Sequence, residues 1–222
     1  MTTPSAKDLA LCIEQSLFAP AATQRDIQQL CAEAQEHFFH AVCVNGSRVA
    51  LAYSLLEESN VQVVALVGFP LGAVDADAKR YETEIAVDLG AHEIDVVLNV
   101  GRLKDGDHQY VLRELRDIAE AADERPVKVI LETHLLTRDE KILACQLALD
   151  SGAQFVCTAT DFHSPDVSLA DVKLLRETVG EQFGVKAAGG IRDTATALAL
   201  MNAGANRLGT IIGTALIRGL AG

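Results

Sequence analysis

The chain has 222 residues, enough for one large domain or two small ones, and a (β/α)8 barrel is a single domain of about this size. Hydrophobic residues make up 49% and charged residues 23%, which excludes a disordered or low-complexity chain. The net charge of −12 offers no basic surface to a nucleic-acid backbone. No run approaches the roughly 18–20 apolar residues of a membrane span, and Lys7 and Asp8 fall where a signal peptide needs an apolar core. Cys12, Cys31, Cys43, Cys145 and Cys157 are scattered without Cys-x-x-Cys spacing, so neither a zinc site nor a disulfide framework is expected. These features predict a cytoplasmic chain with reduced thiols, most of them buried as small hydrophobes.

A weak apolar run at Leu11–Phe18 opens the chain. From Thr23 to His37, Ile27, Leu30, Cys31 and Ala34 fall at i, i+3, i+4 and i+7, the stripe of an amphipathic helix. The β-branched runs Val42–Val44 and Val61–Gly68 follow, then Gly90 at a left-handed helix end and the run Ile94–Val100. Leu112, Leu115, Ile118 and Ala119 form the next helical stripe, and Val127–Leu131 the next strand. Thr137 with Glu140 reads as a capping box for a helix carrying Ile142, Cys145 and Leu149 and ending at Gly152. Phe155–Thr158 is a strand, Ser168 with Asp171 starts a helix through Val172, Leu175 and Val179, and Val185–Ala188 is again a strand. Leu198 and Met201 mark a last stripe before Arg207–Thr210.

Eight such alternations with nearly continuous apolar strands imply a parallel sheet covered on its outer face. Eight units in 222 residues fit a closed barrel better than an open doubly wound sheet. No Gly-x-Gly-x-x-Gly follows the first strand, which weakens a dinucleotide fold. The expected architecture is α/β, a single (β/α)8 TIM barrel spanning residues 1–222.

In such barrels the chemistry sits at the C-terminal ends of the strands. Asp95 interrupts an apolar strand with Asn99 near its end, Lys128 and Glu132 flank Val-Ile-Leu, and Lys186 opens Val-Lys-Ala-Ala-Gly-Gly. One charge in a strand ordinarily faces outward or joins a structural ion pair; several on the strands of one barrel point to a shared interior site. A lysine in a desolvated cavity has a lowered pKa and can form a Schiff base, and an interior carboxylate can relay protons. Gly189-Gly190 and Gly209-Thr210-Ile211-Ile212-Gly213 follow the last two strands, where barrels bind phosphate through backbone N–H groups. Arg192 adds charge there, although any tight turn also uses glycine.

Several motifs make the chain resemble the 2-deoxyribose-5-phosphate aldolase family. They are Ala41-Val42-Cys43-Val44-Asn45, Val67-Gly68-Phe69-Pro70-Leu71-Gly72-Ala73, Gly90-Ala91-His92-Glu93-Ile94-Asp95-Val96-Val97, Val127-Lys128-Val129-Ile130-Leu131-Glu132-Thr133, Gly152-Ala153-Gln154-Phe155-Val156 and Val185-Lys186-Ala187-Ala188-Gly189-Gly190-Ile191-Arg192. The resemblance implies a class I aldolase that reversibly cleaves deoxyribose 5-phosphate into acetaldehyde and glyceraldehyde 3-phosphate, working as a homodimer with no metal cofactor. Asp95 matches its proton-relay aspartate and Lys186 its second lysine. Its Schiff-base lysine falls within Phe-Val-Lys-Thr-Ser-Thr-Gly-Phe, where this chain reads Phe155-Val156-Cys157-Thr158-Ala159-Thr160-Asp161-Phe162. Cys157 therefore stands in the position of the nucleophilic amine.

Other departures gather nearby. Asp-His-Thr-Leu-Leu-Lys-Pro becomes Glu14-Gln15-Ser16-Leu17-Phe18-Ala19-Pro20, and Gly-Thr-Ser-Ser-Gly becomes Gly209-Thr210-Ile211-Ile212-Gly213. Phe38 replaces the helix-ending glycine, at a cost of about 1 kcal/mol or more if the turn is kept. This clustering suggests an engineered or repurposed site, with a natural divergent paralogue as the alternative.

Three readings follow. Lys186 forms the imine itself, with Asp95 as relay and its amine depressed by burial alone. Alternatively, Cys157 is a nucleophile whose pKa is lowered by Lys186, with His134, His163 or His40 as base, or it is an inert interior thiol. The third reading is a binding barrel without turnover. The catalytic candidates are Asp95, Cys157 and Lys186, and the substrate-binding ones Lys128, Thr158, Gly189, Gly190, Gly209, Ile211 and Ile212. The substrate is a small aldehyde or sugar. Ile211 and Ile212, where hydroxyls are expected, predict weakened phosphate recognition and a preference for neutral or aromatic aldehydes.

Overall fold

The structure, a computed structural model, describes residues 4–162 and 165–220. Eight strands pair in parallel and in chain order, and the last closes on the first. They are β1 (Ile13–Leu17), β2 (Ala41–Asn45), β3 (Gln62–Val67), β4 (Glu93–Val97), β5 (Val127–Ile130), β6 (Phe155–Cys157), β7 (Gly184–Ala188) and β8 (Arg207–Thr210). The helices are α1 (Ala6–Ala10), α2 (Gln24–Glu36), α3 (Val49–Leu56), α4 (Ala76–Asp88), α5 (Val100–Lys104), α6 (His108–Ala121), α7 (Arg138–Ser151), α8 (Leu169–Val179), α9 (Thr194–Asn202) and α10 (Gly213–Arg218). The expected (β/α)8 barrel is therefore present. No helix among the described residues is long and apolar enough to cross a membrane.

Local chemistry sets the boundaries. Capping boxes start α2 at Thr23 with Asp26 and α7 at Thr137 with Glu140, and the Ser168 side chain accepts from the Asp171 N–H at the start of α8. Gly90 and Gly152 have the positive φ expected of them. The predicted run Ile94–Val100 is longer than its strand, because Asn99 accepts from the Arg102 N–H at 3.2 Å and begins α5. Phe38 keeps the left-handed turn at φ 57° with its ring 74% exposed.

Strand side chains alternate between two cores. Val42, Val44, Val63, Ala65, Ile94, Val96, Val129, Val156, Val185 and Ala187 face the helices in the larger core. The opposite parity, Ala41, Cys43, Val64, Leu66, Val97, Ile130, Cys157 and Ala188, fills the barrel interior. Helix α4 joins α6 through a polar contact: the buried Lys79 Nζ lies 2.7 Å from Glu114 Oε1 and donates to the Val97 carbonyl at 2.9 Å.

Candidate active site

The interior parity places charge as well as carbon inside the barrel. Glu14 on β1, Glu93 and Asp95 on β4, Lys128 on β5 and Lys186 on β7 are all buried. Register explains their meeting: Asp95 is opposite Lys128, and Cys157 is opposite Lys186. Lys186 Nζ lies 2.5 Å from Asp95 Oδ2 and also bonds Glu14 Oε2. Lys128 Nζ lies 2.8 Å from Asp95 Oδ1, 2.5 Å from Glu93 Oε2 and 3.5 Å from Glu14 Oε1. Gly209 is needed here for clearance, since a Cβ on it would lie 3.0 Å from Lys186 Cε.

At the base, His40 Nε2 lies 2.9 Å from Glu93 Oε1 and Arg207 Nε lies 3.8 Å from Glu14 Oε1. Glu14, His40 and Glu93 could together meet a metal ion. The Lys128 ammonium sits against both of their carboxylates, however, and already supplies the positive charge.

These contacts decide the protonation states. Burial pulls the Lys186 ammonium toward neutrality, but Asp95 and Glu14 outweigh burial and hold its pKa well above the lysine range. Burial likewise works against the Lys128 charge, and Asp95, Glu14 and Glu93 reverse it, so its pKa is raised. Burial raises Asp95, yet Lys128 and Lys186 win and lower it; Glu93 is lowered in the same way by Lys128 and His40. The expectation that burial alone would depress Lys186 is thus corrected by its two carboxylates.

The thiol reading is corrected too. Burial pushes the Cys157 thiol up to about 12, and the opposing pull of Lys186 is smaller. Its Sγ donates weakly to the Ala159 carbonyl at 3.5 Å. The named bases do not serve it. His40 is at the opposite end of the barrel, His134 Nδ1 lies 3.3 Å from Glu132 Oε2 away from the interior pocket, and His163 lies outside the described residues.

Above Lys186 is a small interior pocket of about 20 Å³, bordered by Asp95, Cys157, Lys186, Gly209 and Asp161, room for about one water. Phe18 borders this pocket and packs with Phe69 and Phe162, ring centroids 5.3–6.3 Å apart. Outside it, an open groove of about 580 Å³ shares Ser16, Phe18 and Asp161 with the pocket and reaches Ile211.

The substrate-binding candidates divide. Gly209 lines the pocket and Ile211, 59% exposed, lines the groove. Lys128 lies beneath Asp95 and does not border the pocket. The Thr158 hydroxyl is occupied by the backbone, donating to the Ala188 carbonyl at 2.7 Å and accepting from its N–H at 2.9 Å. Ile212 packs on the larger core. Gly189 and Gly190 form the turn after β7, but the Gly190 N–H donates to Asp161 Oδ1 at 2.8 Å. Arg192 is held by Asp166 at 2.8 Å.

The profile of the DeoC/LacD family aldolases matches residues 7–219. The chain is 45% identical over 211 residues to a deoxyribose-phosphate aldolase of Alkaliphilus oremlandii, covering 95% of each. It is 48% identical over 209 residues to one from Streptococcus uberis, covering 94% of this chain and 95% of the relative. The chain belongs to this aldolase family. A tetrameric deoxyribose phosphate aldolase from Aeropyrum pernix superposes with a TM-score of 0.90 at 29% identity, over 96% of this chain and 91% of that one.

Within this aldolase barrel, Glu14 and Glu93 belong to the interior cluster although the sequence does not single them out. Both were legible in principle, because each lies two residues from an interior position, Ser16 and Asp95, and so shares its parity.

Proposed function

We propose that this barrel catalyses reversible aldol cleavage of small unphosphorylated hydroxyaldehydes, releasing acetaldehyde or a close analogue, with Lys186 as the imine-forming amine. The observation that carries this reading is that Lys186 is the amine bordering the interior pocket among the described residues, beside Cys157 and between two carboxylates.

Asp95 and Glu14 hold Lys186 as the ammonium, so the free base is the minor form and must be generated first. One proton is lost to base in solution, and the freed lone pair attacks the substrate carbonyl. The carbonyl oxygen leaves as water after taking up two protons, which yields an iminium. The iminium accepts the electron pair of the breaking C–C bond as the β-hydroxyl loses its proton and becomes the departing aldehyde. Protonation of the enamine and hydrolysis return acetaldehyde and the lysine. Lys128 positions Asp95 from below.

Ile211 in the groove supports neutral or aromatic substrates, since its exposed side chain offers apolar area and brings no donor for phosphate. The tetrameric relative supports an oligomer, for which we propose a homodimer tested by light scattering. Five free cysteines, four of them buried, support placement in a reducing cytoplasm.

Borohydride trapping with acetaldehyde and with a larger neutral aldehyde, followed by peptide mass spectrometry, tests the mechanism. A reduced adduct on Lys186 is expected. No lysine adduct, with selective alkylation at Cys157, would end the imine reading.

A further inference from the structure

The turn after β7 is already served by an anion from within the chain. Asp161 follows β6 at φ 60°, in the left-handed region, where the aldolase motif carries glycine. From there its Oδ1 accepts the Gly190 N–H at 2.8 Å. Gly190 itself has φ 63° and is covered from outside by Asp166, whose Oδ1 would lie 2.1 Å from a Cβ at that position. After β8 the pattern repeats: the Gly213 N–H donates to the Gln15 side-chain oxygen at 2.7 Å. Loops after the seventh and eighth strands are where (β/α)8 barrels ordinarily place a substrate phosphate. Here a backbone donor of each loop is spent on a side chain, and one of those side chains is a carboxylate.

We propose that Asp161 is a specificity-determining residue: an internal anion seated in the phosphate position that excludes phosphate esters and restricts the barrel to uncharged substrates. A phosphate arriving at Gly190 would have to displace the carboxylate from its N–H and then remain beside a like charge. Arg192 offsets part of this charge, but it also pairs with Asp166 at 2.8 Å, and the Asp166 carboxylate adds a second negative charge beside Gly190. Asp161 also borders both the interior pocket and the outer groove, so any substrate reaching Lys186 passes it. In naming a substrate class this inference rests on the aldolase reading above, whereas the exclusion of phosphate stands independently of turnover.

The test is therefore a binding measurement. Inorganic phosphate and glycerol 3-phosphate, which carries no carbonyl, are titrated calorimetrically into the native protein and into the Asp161→Gly and Asp161→Asn variants. The native protein is expected to show no saturable binding at millimolar concentrations. Asp161→Gly should bind glycerol 3-phosphate at least about tenfold more tightly, because both the charge and the occupant are removed. Asp161→Asn should fall between them, because its amide oxygen can still take the Gly190 N–H while the charge is gone. Both replacements tolerate positive φ, so folded protein is expected, and a thermal melt verifies it. Native protein binding glycerol 3-phosphate as tightly as Asp161→Gly would overturn the proposal. If Asp161→Gly gains phosphate binding while borohydride finds no lysine adduct, the excluded seat stands and the imine mechanism falls. A Lys186 adduct without any gain in binding would leave the imine mechanism standing and overturn the excluded seat.

Discussion

Lys186 in the barrel and Lys79 between α4 and α6 are both withdrawn from water, at 2% and 0% exposure, yet their pKa values move in opposite directions. Burial opposes the charge on both. At Lys79 burial exceeds what Glu114 returns, so the pKa is lowered. Asp95 and Glu14 together reverse the balance at Lys186. The number of carboxylates in contact decides the state of a buried amine, and depth alone does not. Lys79 is a strut from one helix to another and to the end of β4. Lys186 is held as an ammonium by two carboxylates, and it must lose that proton before it can attack a carbonyl.

Restoring the family's amine should perturb this balance most. Cys157→Lys adds a third ammonium opposite Lys186, and like charge lowers amine pKa values. Cleavage of unphosphorylated deoxyribose is expected to rise about a hundredfold or more, with the borohydride adduct moving to the new side chain. The longer side chain must fit a pocket of about 20 Å³, so a stability loss of about 1–3 kcal/mol should accompany the gain. An unchanged rate in a folded variant would show that the barrel has lost more than its lysine.

Removing the existing amines tests the comparison directly. Lys186→Met leaves Asp95 with Lys128 and Glu14 with Lys128 and the more distant Arg207, and should cost about 3–5 kcal/mol in urea unfolding, besides abolishing the adduct. Lys79→Met leaves one carboxyl, Glu114, which burial already holds above its ordinary pKa and which can neutralise itself by taking a proton. Its cost should fall at or below about 3 kcal/mol. Lys79→Met with Glu114→Leu should return to within about 1 kcal/mol of the native protein, since an apolar pair of similar volume replaces a desolvated ion pair. Equal losses in the two single variants would remove the distinction between the regions.

Acid separates them as well. Asp95 and Glu93 are held below their ordinary pKa values, so the stability they contribute is present above about pH 4 and is lost as pH falls toward their folded values. Glu114 is raised, so its contribution has the opposite sign: it is full below about pH 4 and is lost as pH rises through its folded pKa. Between pH 7 and pH 3, Asp95→Asn should flatten the fall in the urea midpoint, and Glu114→Gln should steepen it. At the alkaline end, Lys186 remains protonated through the neutral range. Trapping should therefore accelerate by up to about tenfold per pH unit from pH 7 to 9 as free amine appears.

Charge within the strands made much of this legible. Asp95, Lys128 and Lys186 point to one interior site because each puts a charge on an apolar strand, whereas Cys157, itself apolar, stands out only through the family resemblance. Glu14 escaped because it sits in the weakest run, Leu11–Phe18, where Gln15 and Ser16 also dilute the apolar signal. Helix α4 was hard to see for a related reason: its buried face is Ala76, Lys79, Thr83 and Ala86, so hydrophobic periodicity does not mark it. The engagement of Thr158 with Ala188 and of Gly190 with Asp161 depends on contacts between neighbouring loops and strands. No spacing within either segment encodes those contacts.

The smallest effect contrasts two residues that share one backbone feature. Phe38 and Asp161 are both non-glycine residues at positive φ, 57° and 60°. Phe38 is an exposed ring in the turn between α2 and β2, remote from the pocket mouth. Phe38→Gly should remove strain of about 1–2 kcal/mol while restoring some freedom to the unfolded chain, for a net gain of about 0.5–1 kcal/mol and no change in adduct formation. Asp161→Gly relieves less strain, because aspartate tolerates the left-handed region better than phenylalanine, and it surrenders the bond to Gly190, worth about 1 kcal/mol, so its net effect on the melt should be close to zero or slightly destabilising. Thermal unfolding of the two variants side by side measures this difference. A gain at residue 161 matching that at residue 38 would mean that the Asp161 carboxylate contributes nothing to holding its turn, leaving selectivity as the only return on its strained backbone.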